Sequence, residues 1–276
     1  MPSNIESLFR QIQNVPQIPE VIKILIDQFN DPTIDLKAIA LNVEKEPLLA
    51  AKVLRVVNSS YFGLTKKIDS ISEAVVLIGM SQLRSLVIAS GIVGAVPSIE
   101  NFDAKHFWIN SFHTASYAKW LASKTACDDD IAFTAGLINN LGIILIHLGQ
   151  PKEAMKITQL IDKGHARAFV ENMLLGYTSQ EVSAELCRLW NFSDQLITPI
   201  SQCEAPLLAD QVSKSGCVVF VARYLSACKQ SGTEQNIILE KMPTEVIEHL
   251  GLSAAFFEEN IDELLSLESG LEAILD

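Results

Sequence analysis

The sequence predicts an all-α protein in which an N-terminal helical bundle packs on a second, C-terminal helical bundle. Three observations predict it. Apolar residues recur every three to four positions along nearly every segment, and no run of period-two alternation is sustained. Helix punctuation is frequent, with capping signals at Ser70–Glu73 and Thr178–Glu181. The central stretch Asp128–Gly149 carries no charged residue from Ile131 onward, as a helix surrounded by protein would.

In order along the chain, Ile18–Phe29 is expected as a helix, with Pro19 in its first turn and Asn30-Asp31-Pro32 ending it. Asp35 can cap Leu36–Glu44, and Pro47 opens Leu48–Ser60, which closes before Gly63. Leu49, Val53, Val56, Val57 and Ser60 are spaced to form its inner face. Ser70 and Glu73 form a capping box for Ile71–Ile78. Gly79 stops that helix, and Ser81 can cap Gln82–Val96. Pro97–Asn101 reads as a linker, dividing a bundle at residues 1–97 from one at 98–276.

Asp103 can cap Ala104–Ser123, whose core stripe is Phe107, Trp108, Phe112, Ala115 and Leu121. Acidic Asp128–Asp130 suits the helix N-terminus that follows. Further helices are expected from Pro151 to near Gly164, then over Ala166–Leu175 and Val182–Trp190. Ser193 can cap Asp194–Glu204, and Ala209–Gln230 should be long and apolar. Two more fall around Thr244–Leu250 and Ser253–Leu275. The last carries a stripe of Phe256, Phe257, Ile261, Leu264, Leu265 and Leu271 that can pack on the domain or receive a partner helix.

Composition narrows the function. With 276 residues, 49% hydrophobic and 20% charged, the chain has ample material for a core. Its net charge is −12, and Glu240–Asp276 holds ten Asp/Glu against one Lys. Such an acidic chain repels phosphate backbones and anionic membranes. The pair Ile71–Ile78 and Gln82–Val96 has the outline of a DNA-reading motif. Gln82 and Arg84 are almost its whole polar complement, so nucleic-acid binding is not expected. Five cysteines without a C-x-x-C pair suit free core thiols in a reducing cytoplasm, and the N-terminus lacks the apolar run of a signal peptide. Neither charge-free span, Ser85–Ile99 nor Ile131–Gln150, suits a bilayer: one is short, the other holds Asn139, Asn140 and His147.

Two segments carry a resemblance. Leu54-Arg55-Val56-Val57-Asn58-Ser59-Ser60-Tyr61-Phe62-Gly63 is followed by Ile68–Ile71, Ile78-Gly79 and Leu83–Val87. With Ile18–Val21, Asp31-Pro32, Phe107-Trp108 and Ala135–Leu137, this order is similar to the HDOD family of bacterial regulatory domains, from about Val15 to Pro206. The resemblance implies an HD-like helical fold distantly related to metal phosphohydrolases. In those enzymes His and Asp on facing helices hold divalent ions that activate water.

Against that pattern the His-Asp pair falls at Asn139-Asn140 and other ligand positions at Asn110, Ser179 and Cys203-Glu204. All have departed from the ligand types, so the resemblance implies a vestigial pocket, no metal, no cofactor and no catalysis. Asn139 and Asn140 then either line a ligand pocket or, as we favour, lock helix register by hydrogen bonding. Arg55, Asn58, Tyr61, Phe62 and Arg84 either order the turn after Asn58 or form a groove for a partner or small ligand.

The expected function is a non-catalytic, cytoplasmic signalling protein that binds another protein, its input arriving through a partner or ligand. Two alternatives stand beside it. One is a metal-dependent phosphohydrolase with displaced ligands among His113, His147, Cys203 and Glu204. The other is a small-ligand or nucleotide sensor using the degenerate pocket.

Overall fold

The computed structural model describes residues 4–27 and 36–275. Among them are seventeen α-helices and no strand. The first six are α1 (Asn4–Gln11), α2 (Glu20–Asp27), α3 (Leu36–Glu44), α4 (Pro47–Val57), α5 (Ile71–Ile78) and α6 (Met80–Ala95). Then come α7 (Ala104–Ser123), α8 (Asp129–Ile138), α9 (Leu141–Gly149), α10 (Pro151–Ile161), α11 (Arg167–Leu175) and α12 (Ser179–Leu189). The chain closes with α13 (Asp194–Gln202), α14 (Lys214–Gln230), α15 (Gln235–Glu240), α16 (Thr244–His249) and α17 (Ala254–Ser266). The expected stop at Asn30-Asp31-Pro32 and the cap at Asp35 lie outside the described residues.

α4 shows how local chemistry sets an end. Leu49, Val53, Val56 and Val57 are buried, but Ser60 is exposed because the helix stops earlier than expected. Asn58 stops it: its Nδ2 donates to the carbonyls of Leu54 and Ile68, each at 2.8 Å, and its Oδ1 accepts from the Ile68 amide at 2.7 Å. One amide thereby fixes both ends of the intervening loop. At α5 only half of the expected box forms. Ser70 accepts from the Glu73 amide, while the Glu73 carboxylate takes Lys66 at 2.9 Å.

α6 differs from expectation at its start. Gly79 ends α5 and begins α6 at φ +79°, a conformation that strains any side-chain-bearing residue. Ser81 caps nothing and instead donates to Asp130 at 3.1 Å. Every residue from Leu83 to Ile92 is buried, because α6 packs against α2 and α4 on one side and α8 on the other.

The two halves share one core. It runs from Leu8 and Ile22 through Phe112 and Leu137 to Trp190, whose Nε1 donates to the Pro16 carbonyl at 2.9 Å. α1, not expected from the sequence, lays Leu8 against Gly149 of α9, and Ile12 just past its end packs there too. The stripe of α7 behaves as expected: Phe107, Trp108, Phe112, Ala115 and Leu121 are all buried. Its Tyr117 and Leu121 belong to a second core with Val218, Val221 and Leu225 of α14 and Phe257 of α17.

The C-terminal third departs most from expectation. Pro206–Leu208 forms a single 3-10 turn, so α14 begins at Lys214, capped by Ser213. Ser193 precedes α13 without a side-chain cap bond, and α15 was not expected. The last helix ends at Ser266 rather than Leu275. Residues 267–275 return to the first core, where Leu271 and Ile274 are buried and Gly270 lies against the ring of Tyr61. Phe257, Ile261 and Leu264 therefore share a buried helical face, whereas Leu271 is buried from the tail.

Candidate functional site: an amide-lined cleft

The apolar stretch at the centre of the chain is two helices. α8 ends at Ile138, Asn139 and Asn140 form the break, and α9 starts at Leu141. Both asparagines are buried, at 0% and 7% exposure, but they face different surroundings. Asn139 Nδ2 donates back to the Gly136 carbonyl at 2.6 Å, and its Oδ1 finds no partner among the described residues. Asn140 Oδ1 accepts from Gln180 Nε2 at 3.0 Å, and Asn140 lines a cleft of about 640 Å³.

Close packing places α9 at that cleft. Gly142 lies directly against the Ser179 carbonyl of α12, and its amide donates to Ser183 Oγ at 2.7 Å. A Cβ there would occupy the position of the carbonyl, so the approach requires glycine. α7 supplies Asn110, whose Oδ1 accepts a very short hydrogen bond from Ser226 of α14. The remaining walls include Phe102, His147 of α9, Arg167 of α11, and Arg223 and Gln230 of α14.

The charges of the cleft are arranged in pairs. Glu171 is fully buried; it accepts from the Ser179 amide at 2.7 Å, from Ser179 Oγ at 2.9 Å and from Arg167 Nη1 at 3.3 Å. Burial still outweighs these bonds and raises the Glu171 pKa. Arg223 Nη1 bonds the Cys203 carbonyl and Glu204 Oε2, each at 2.8 Å, and lies within the field of Glu171 as well. His147 donates from Nδ1 to the Ile143 carbonyl at 2.8 Å, and its ring centroid is 4.8 Å from that of Phe102. Burial is the main cause lowering its pKa, and nearby Arg167 adds to it.

The six positions in the HD ligand pattern thus divide. Asn110 and Asn140 line the cleft. Ser179 is buried against Glu171, Cys203 is buried with its thiol donating to the Ile200 carbonyl, and Glu204 is held by Arg223. Asn139 points back along its own helix. These residues do not fit a divalent cation: the amide oxygens at the cleft are already engaged, and a buried thiol with its pKa pushed up to about 11 is not a thiolate. Among the described residues no three His, Cys, Asp or Glu side chains are grouped to hold a metal. His113 does not line the cleft with His147; burial lowers its pKa and its Nδ1 has no partner among the described residues.

Among the described residues the other five are spread over separate surroundings. Arg55 is exposed beside a cleft of about 360 Å³ with Glu46, Lys52 and Gly94. Tyr61 borders a separate one of about 310 Å³ with Lys119, Trp120 and Leu271, and Phe62 meets it edge-on at 5.0 Å. Asn58 orders the loop. Arg84 is buried and pairs with Asp130 of α8 at 3.0 Å. Of the residues that matter at the amide-lined cleft, Arg167, Arg223 and Gln230 escaped sequence reasoning. Only Arg223 left a trace, as a lone cation within the apolar run Val218–Leu225.

This architecture is that of an all-helical, HD-like protein. Residues 15–206 match the HDOD domain, and the chain belongs to that family. An uncharacterised protein of Treponema pallidum (strain Nichols) is 26% identical over 213 residues; the match spans 72% of this chain and 41% of that relative's length. A crystal structure of a candidate phosphohydrolase from Shewanella amazonensis SB2B is 29% identical, with a TM-score of 0.77, covering 97% of this chain and 96% of that one. An HDOD domain protein of unknown function from Geobacter sulfurreducens superposes with a TM-score of 0.80 at 20% identity, covering 96% and 95%. The stretch Asp129–Gly149 is long and apolar enough to cross a membrane, yet 83% of its most apolar window is buried inside the protein.

Proposed function

We propose that this protein is a non-catalytic HDOD regulator of bacterial signal transduction, acting in the cytoplasm by binding a protein partner. One observation carries the proposal: no position where an HD enzyme would place a metal ligand holds His or Asp, and at each of them except Asn139 an oxygen or sulfur is engaged in an internal hydrogen bond or ion pair. Differential binding is the mechanism available to such a molecule, one conformation presenting a surface that a partner recognises. Phe169 and Met173, one turn apart on α11, are 63% and 57% exposed and supply an apolar surface of the kind partners use.

The test has two arms. Metal analysis of the purified protein should give no stoichiometric manganese, iron or zinc, and phosphoesters should not turn over with those ions added. Bound metal with turnover that is lost in His147→Ala would establish the phosphohydrolase reading that the Shewanella structure's name suggests. In the second arm, affinity capture from the native cell should recover a specific protein. Loss of that protein with Phe169→Asp/Met173→Asp would place the contact on α11. Recovery of no specific protein across growth conditions would overturn partner binding.

A further inference from the structure

Two of the six positions in the HD ligand pattern, Asn110 and Asn140, line the cleft, and both hold carboxamides. Asn110 Oδ1 is taken by Ser226 and Asn140 Oδ1 by Gln180, so both lining amides have spent their oxygens on the protein. Their Nδ2 groups have no protein acceptor among the described residues, and neither does the buried Nε2 of Gln230, which also lines the cleft. Arg167 and Arg223 add guanidinium groups, each with donors beyond the Nη1 used for its glutamate. Among the described residues the one carboxylate lining the cleft is Asp103, whose oxygen accepts from the His106 amide as the cap of α7. A protein of net charge −12 therefore holds a cleft rich in hydrogen-bond donors, with two guanidinium groups on its wall.

Phe102 and His147 form an aromatic wall beside these donors, with Phe107 5.5 Å from Phe102. Donors for an oxyanion beside flat apolar rings, in a cleft of about 640 Å³, match a small phosphate monoester that also carries a planar ring. We propose that this cleft binds such a ligand, a nucleoside monophosphate in chemical class, with its phosphate held by Arg167, Arg223 and the asparagine amides. The ligand would be the input that a regulator of this kind requires. The binding does not depend on the protein partner.

Isothermal titration calorimetry of the full chain tests this with adenosine and guanosine 5′-monophosphates, inorganic phosphate and adenosine. At least one monophosphate should bind more tightly than both inorganic phosphate and adenosine. Asn110→Asp and Asn140→Asp keep the oxygen that accepts from Ser226 or Gln180 and replace the cleft-facing donor by a negative oxygen. Each should weaken binding at least tenfold while circular dichroism stays unchanged. If either fails to fold, Arg167→Gln, a change at a partly exposed residue, should produce the same weakening. Silence toward both monophosphates at millimolar concentration overturns the proposal, as does binding of adenosine equal to that of its monophosphate. Unaltered affinity in the folded variants overturns it too. Chromatography of the recovered ligand separates the two proposals: intact nucleotide supports both, whereas hydrolysis overturns the non-catalytic reading and leaves the binding site standing.

Discussion

Gln180 of α12 holds Asn140 in the break between α8 and α9, its Nε2 donating to Asn140 Oδ1 at 3.0 Å in a buried setting. Replacing it by leucine keeps a similar size but leaves the amide oxygen unpaired. Gln180→Leu is expected to cost about 1–3 kcal/mol, the penalty for an unsatisfied buried polar group. Urea denaturation measures it, and a loss below a few tenths would mean that the bond has no part in fixing the break.

Asp130 joins three helices. It accepts from Arg84 of α6 at 3.0 Å and from Lys119 of α7 at 3.3 Å, with Ser81 at 3.1 Å. The Arg84 and Asp130 side chains are 9% and 13% exposed, so this is a largely desolvated pair. Asp130→Ala should cost about 3–5 kcal/mol, because it removes the carboxylate paired with a buried cation. The double variant Arg84→Met/Asp130→Leu should be less destabilised than Asp130→Ala. Simple additivity of the single changes in a denaturation cycle would contradict the pairing.

Gly142→Ala should be among the most damaging single-methyl additions in the chain. The new methyl meets the backbone carbonyl of Ser179, which cannot rotate away as a side chain would. Either α9 separates from α12 or the protein fails to accumulate in soluble form. Wild-type thermal stability in this variant would refute the close approach.

Buried Glu171 and half-buried His147 give opposite pH dependences. The pKa of Glu171 is raised from its ordinary 4.5, chiefly by burial. The folded state then binds its proton more tightly than the unfolded state, so this contribution is present below 4.5 and is lost as pH rises through the folded pKa. His147 is lowered from 6.5, again chiefly by burial. Its contribution is present above 6.5 and is lost as pH falls through the folded value. Unfolding free energies measured from pH 4 to 8 should show less alkaline-side decline in Glu171→Gln and less acid-side decline in His147→Phe. Profiles parallel to the wild type would sink both assignments.

The sequence by itself determined what depends on neighbours three or four residues apart. The all-helical class, the buried stripe of α7 and the capping box of Thr178 and Glu181 belong here, since helix faces and N-terminal hydrogen bonds close within one or two turns. Motif spacing also placed the chain in its family and marked Asn110 and Asn140 as positions to watch. The same local logic misread Ser81 and Ser60: a serine's side chain suits a cap, a turn or a long-range partner equally well until packing supplies one. Tertiary structure alone decided that Arg84 serves Asp130, that residues 267–275 return to α4, and that Arg167 and Arg223 reach one cleft from separate helices. Those outcomes join residues tens to hundreds of positions apart. A side chain's donor is the same in every context, but which acceptor it meets, and whether it meets any, is settled by how the helices pack.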